Sequence, residues 1–214
     1  MLKKPSFHRS IGENLSIDLF HITNTVFSVM EYPVTYFENM GKVNTDETLK
    51  IAKKRAENLG VKHVILSSSG YTAEKALKLF DGSGVILIIV GFKRNFPAEL
   101  ADKLVSKGHH LLYPSDYSFD HPPLGLETLR RFCEGMKVAA QGALMAIEAG
   151  LVSEGEEVIS LGGTGTIEFE AGGGVDTAIV VEAVKGSEFF SPEGSVYERK
   201  MKGRRIKELL CKPR

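Results

Sequence analysis

Cysteine is scarce in this 214-residue chain: Cys133 and Cys211 stand far apart and outside any metal-ligand spacing, which excludes a disulfide scaffold and a cysteine-held zinc. A long apolar run is missing too. The longest purely aliphatic stretch, residues 85–90, falls well short of the roughly 20 residues that span a bilayer. There is no excess of either charge, since Lys plus Arg and Asp plus Glu both total 27, so no overall field draws the chain to nucleic acid or an anionic membrane. A local excess of basic residues lies between Arg199 and Arg214. It lacks the interleaved aromatics that stack bases, and reads as a solvated edge that discourages sheet-to-sheet pairing. Lys3, Lys4, His8 and Arg9 open the chain, but Glu13 and Asp18 interrupt the apolar residues after them, so no signal-peptide core forms. The expectation is a reduced, cytoplasmic protein whose partner is a small molecule or another protein, with no nucleic acid and no membrane.

What is present is an ordinary globular composition, 43% apolar and 25% charged. Residues 1–30 carry scattered apolar side chains without a helical or strand period. They read as an N-terminal extension, either an arm on the main body or a stretch ahead of a natural start at Met30, with the second favoured. From Val34 onward, short apolar runs alternate with amphipathic segments, the pattern of an α/β domain over residues 31–214 with a mostly parallel sheet covered by helices. Strands are expected at 34–37, 61–67, 85–92, 110–113, 158–161 and 178–183, with a terminal edge strand at 206–211. Asn44 offers an N-cap oxygen with Glu47 three residues on, opening a helix that Gly60 ends. Further helices are expected at 72–80, from Pro97 to Gly108, and as one long small-residue helix over 126–149.

Two loops carry the candidate chemistry. In Ser67-Ser68-Ser69-Gly70-Tyr71-Thr72 a buried strand runs into a helix through hydroxyls and a glycine, which suits a phosphate: helix-opening amides are unpaired and sit at the positive end of the dipole. A hydroxyl-capped helix start without a ligand fits the same residues. The second loop, Gly162-Gly163-Thr164-Gly165-Thr166, also comes directly after a strand. It fails the G-x-G-x-x-G spacing, and no Gly-Lys-Ser/Thr closes a phosphate loop anywhere in the chain. A mobile connection is the plain alternative, but two such loops together match the strand ends where open α/β sheets bind ligands. Lys93 and Arg94 should face the same rim. His109, His110, Asp116, Asp120 and His121 match no known metal spacing, so no metal is expected, and the absence of G-x-S-x-G leaves a hydrolase triad unsupported.

Asn44-Thr45-Asp46-Glu47-Thr48, Val64 through Ala73, Val158 through Gly163, and Asp176-Thr177-Ala178 together resemble the C-terminal domain of pyruvate kinase, and more closely its free-standing archaeal-type branch. The resemblance covers about residues 34–214. It implies a three-layer α/β/α sandwich around a five-stranded mixed sheet of order 3-2-1-4-5, with the last strand antiparallel. It also implies a phosphoryl group at the serine-rich loop: a sugar bisphosphate effector in pyruvate kinase, flavin mononucleotide (FMN) in the free-standing branch. Kinase activity is not expected, because catalysis in that family belongs to a barrel of roughly 250 residues. Tyr71 departs from the basic or small residue often found in the effector loop; it either offers an aromatic face for a flat ring or packs on the adjacent helix.

The chain is therefore expected to bind a phosphorylated small molecule, FMN first. Ser67, Ser68, Ser69, Gly70, Tyr71 and Thr72 would surround the phosphate, Gly162, Gly163, Thr164 and Gly165 would form the opposite wall, and Asn44 and Thr45 would stand at the rim. The alternatives are a phosphosugar-sensing or self-associating module, with the small-residue helix at a homo-oligomer interface, and an FMN-dependent oxidoreductase.

Overall fold

The computed structural model describes residues 32–91, 96–116, 123–164, 173–190, 195–197 and 205–214. The apolar runs form the strands. β2 (His63–Ser68), β3 (Ile86–Gly91), β5 (Glu157–Gly162) and β6 (Thr177–Glu182) are buried along most of their length, as strands must be when helices cover both faces. β1 (Thr35–Phe37), β4 (His110–Leu112) and β7 (Ile206–Pro213) complete a seven-stranded sheet of order β1-β7-β6-β5-β2-β3-β4, in which β6 alone runs antiparallel to its neighbours.

Helices α1 (Thr45–Leu59), α2 (Tyr71–Leu79) and α3 (Ala98–Ser106) bury Leu49, Ala52, Ala76, Leu77 and Leu104 on one face, against Val64, Leu66, Leu87 and Ile159 of the sheet. On the other face α4 (Pro123–Arg130), α5 (Glu134–Glu148) and α6 (Gly186–Phe190) lie over Ile65, Ile88, Val158 and Ile179, with Ala139, Ala143 and Ala146 of α5 at the contact. Alternate residues of each strand thus feed two cores, which makes three layers. The chain winds β2-α2-β3-α3-β4 outward in one direction, then returns through α4 and α5 to place β5 on the other side of β2. β2 and β5 are parallel, with Leu66 opposite Leu161, so their carboxyl ends stand side by side where the winding reverses. Residues 33–214 form one compact unit, and among the described residues no helix is long and apolar enough to cross a membrane.

Four expectations need correction. The sheet has seven strands, not five, because β7 and β1 extend it past β6. β7 is consequently not the edge: Thr35–Phe37 pair in parallel with Cys211–Pro213, and the bidentate Arg55–Glu208 ion pair (2.8 and 2.5 Å) ties β7 to α1. The long helix is broken. Cys133 has extended backbone (φ 179°, ψ 161°), and its sulfur accepts the Met136 amide at 3.3 Å, so α5 restarts there with its own cap. Asn44 is not a side-chain cap either. A 3-10 turn over Gly41–Asn44 leads directly into α1, holding Asn44 in helical backbone, and its side-chain amide donates to the Asn39 carbonyl at 2.7 Å. Phe92, the last residue of the expected third strand, lies outside the described residues.

Candidate functional site

Ser67 and Ser68 end β2 opposite Val90 and Gly91 of β3, and the chain turns into α2 through Gly70 at φ +131° and ψ −53°, a conformation that suits glycine. Ser68 is buried, and its hydroxyl oxygen accepts from the Gly70 amide at 2.9 Å and the Ala73 amide at 3.0 Å. It therefore caps α2 from inside, as expected of a hydroxyl-capped helix start. The amides of Tyr71 and Thr72 lie in the first turn, outside the intrahelical ladder. Ser67 and Ser69 are half-buried, and Thr72 is buried beside them.

Tyr71 is exposed at the head of α2, and two ammonium groups stand against its ring: Lys42 at 4.2 Å from the centroid and Lys75 at 5.3 Å. Lys75 also donates to both carboxylate oxygens of Asp46 at 2.6 and 2.9 Å, and that bond raises its pKa above the ordinary lysine value. The flat face offered by Tyr71 is thus in contact with a cation. A groove of about 370 Å³ between α1 and α2, lined by Asp46, Leu49, Lys75 and Lys78, runs alongside.

The glycine loop is built by close packing. A Cβ on Gly162 would fall inside the carbonyl oxygen of Gly135 and 2.8 Å from the Ala139 nitrogen, so β5 and α5 meet backbone to backbone. Gly163 packs on the carbonyl of Gly174, and Gly174 (φ +74°) packs on the Thr45 hydroxyl and on Lys42 Cα. The Thr45 hydroxyl oxygen accepts the Val175 amide at 3.2 Å. Lys42 is therefore the link between the two loops, touching the Tyr71 ring with its ammonium and Gly174 with its backbone. Gly165 and Thr166, like Lys93, Arg94, Asp120 and His121, lie outside the described residues.

No family model matches the chain.

The residue that sequence reasoning missed is Asp176, whose side chain is fully buried. Its carboxylate accepts from the Gly41 amide (2.7 Å), from the Thr164 amide (3.1 and 3.2 Å), from the Thr164 hydroxyl (3.0 Å) and from the Thr177 hydroxyl (3.0 Å). Because Thr177 gives its only proton to Asp176, the 3.3 Å contact between Thr177 and Cys133 has the thiol as donor. The available signal was an acid placed directly at the head of an apolar strand, in Gly-Gly-Gly-Val-Asp-Thr-Ala-Ile-Val-Val. The other thiol, Cys211, is buried, and desolvation pushes its pKa up to about 12, which makes it inert.

His109, just before β4, serves the fold. His109 Nδ1 accepts the Leu87 amide at 3.2 Å, and burial holds its pKa below the ordinary 6.5, with Lys107 and His110 acting the same way. Among the described residues no three His, Cys, Asp or Glu side chains gather as a metal site would require. The structure brings Asn44, Thr45, Tyr71, Gly162, Gly163 and Thr164 to one rim around the Lys42 turn, and Ser67, Ser68, Ser69, Gly70 and Thr72 stand on the adjoining strand end.

Proposed function

We propose that this protein binds a phosphorylated small molecule, FMN being the first compound to test, at the carboxyl ends of β2 and β5, in a fold of the pyruvate kinase C-terminal type and without pyruvate kinase activity. The observation that carries the reading is the group formed by the first turn of α2, Lys42 and Lys75. Two ammonium groups lie 4.2 and 5.3 Å from the ring of Tyr71, the first residue of a helix whose Tyr71 and Thr72 amides lie outside the intrahelical ladder. That is a cationic, donor-rich rim at the place where ligands meet open α/β sheets. The phosphate would take the Tyr71 and Thr72 amides, with Lys42 balancing its charge and Ser67 and Ser69 adding hydroxyl donors, while Lys75, paired with Asp46, borders the rim. Ser68 would contribute by holding the turn, its oxygen being committed to Gly70 and Ala73.

A second reading has one observation in its favour. Lys42 sits against the ring face on which an isoalloxazine would stack, which suits a compact ligand with two phosphates, such as a sugar bisphosphate, and a sensing role. Titration of the purified chain with FMN, monitored by flavin absorbance and by calorimetry, and then with a sugar bisphosphate, separates the two. On either reading Lys42→Ala removes a charge-assisted contact of about 1.5–3 kcal/mol, a weakening of roughly 10- to 100-fold. Unchanged affinity in that variant would place the phosphate elsewhere.

A further inference from the structure

We infer that Asp176 is the positioning residue of this rim, setting the Lys42 turn and Thr164 against each other so that ligand affinity depends on the hydrogen bonds its two carboxylate oxygens accept. The inference rests on the ligand reading above. Asp176 is fully buried, and among the described residues no cationic side chain pairs with it; its charge is met only by N–H and O–H donors. A buried anion without a counter-ion is an expensive feature, tolerated where each acceptor site is filled. Here the donors come from three separate segments of the chain. Gly41 belongs to the turn that carries Lys42, Thr164 belongs to the loop after β5, and Thr177 belongs to the head of β6. One side chain thus holds the backbone from which Lys42 reaches the Tyr71 ring and the strand end where the Gly163 backbone faces Gly174.

The two oxygens have different duties, which makes the role testable. Oδ1 accepts from the Thr164 amide, the Thr164 hydroxyl and the Thr177 hydroxyl, whereas Oδ2 takes the Gly41 amide at 2.7 Å and only shares the Thr164 amide. In Asp176→Asn the carboxamide keeps most donors by leaving its oxygen at the Oδ1 position. Its NH₂ group then meets the Gly41 N–H, donor against donor, and the Lys42 turn is released while the Thr164 loop stays bound.

The experiment uses the full-length chain, Asp176→Asn, Thr164→Val, and Val181→Ala as a variant destabilised at the opposite end of β6. Amide exchange is measured by NMR without ligand, and FMN affinity by calorimetry. The expected result for Asp176→Asn is at least tenfold faster exchange at Gly41, a smaller change at Thr164, and FMN binding at least tenfold weaker. Val181→Ala should lose stability and keep wild-type affinity. Thr164→Val, which removes one donor and keeps the shape, should bind FMN several-fold more weakly, and it decides the matter if Asp176→Asn does not fold. Wild-type exchange at Gly41 in Asp176→Asn, or wild-type affinity in both rim variants, overturns the inference. Failure of the unaltered chain to bind FMN or a sugar bisphosphate overturns the ligand reading instead, and the ligand-free exchange data distinguish that result from failure of the Asp176 role.

Discussion

Adding one methyl group to Gly162 tests the packing that shapes the rim. The new Cβ would fall inside the Gly135 carbonyl oxygen, 2.8 Å from the Ala139 nitrogen and 3.0 Å from the Gly135 carbonyl carbon. All three are backbone atoms of α5, so no side chain can rotate away, and the helix itself must lift from β5. Lifting it strains the 2.6 Å bond from the Ser160 hydroxyl to the Ala139 carbonyl and the contacts of Met136, Ala139 and Ala143 with the sheet. Overpacking of flexible cores costs about 1–3 kcal/mol, and a rigid backbone obstacle belongs at or above the top of that range. Gly162→Ala should therefore lose about 3 kcal/mol or more, roughly a hundredfold change in the folded-to-unfolded ratio. Gly142→Ala supplies the contrast on the same helix. Its Cβ would meet Ile65 Cγ2 at 3.3 Å and Ser160 Oγ at 3.4 Å, both side-chain atoms, while the helix gains about 1 kcal/mol of propensity. Its net change should be within about 1 kcal/mol of zero. Gly150→Ala meets nothing within 4 Å but must hold φ near +68°, for about 1–2 kcal/mol of strain. Urea unfolding monitored by far-ultraviolet circular dichroism gives all three values. If Gly162→Ala proves no worse than Gly142→Ala, the claim of backbone contact between α5 and β5 is wrong.

Ser68→Ala removes the oxygen that accepts two amides and leaves both without a partner inside the turn, so it should cost about 2 kcal/mol, the upper end for a helix cap. Ser67→Ala, next door, should stay within about 0.5 kcal/mol, and equal losses in urea midpoint would mean that Ser68 is not the cap. His109 yields a pH prediction. Its folded pKa lies below the ordinary 6.5, so the unfolded chain binds a proton first; the stability is complete above 6.5 and is lost as pH falls toward the lowered folded value. Protonation also removes the acceptor for the Leu87 amide. His109→Asn keeps an acceptor without titrating, so its stability should fall less than the wild type's between about pH 7.5 and 5.5. Parallel curves for the two proteins would refute this.

The elements that the sequence made legible are those in which one short stretch contains its own cause. The run Ile86–Gly91 is apolar enough to demand burial on both faces, and Leu49, Ala52 and Ala56 recur at helical spacing before Gly60, which takes φ +66° to end α1. What was not legible depends on distant atoms. The helix break at Cys133 requires a thiol to act as a cap and Gly135 to lie against Thr177, 42 positions later, and nothing in the local Phe-Cys-Glu-Gly sequence states that. The pairing of Thr35–Phe37 with Cys211–Pro213 joins segments at opposite ends of the compact unit, and read alone the first is only a short strand and the second an edge strand. The site divides in the same way. The helix start after Ser67-Ser68-Ser69-Gly70 was readable because capping is local, whereas Asp176 stood out only as part of a family-like motif and as an acid heading an apolar strand, with no role attached. Its meaning lies in Gly41, 135 residues away, and in Thr164, 12 residues away across the glycine-rich connection. The glycines of that connection suggest, by sequence alone, a ligand they would admit. At Gly162, Gly163 and Gly174 the structure gives a prior reason, the close approach of backbone to α5, to one another and to the Lys42 turn, so the shape of the rim is a consequence of packing before any ligand arrives.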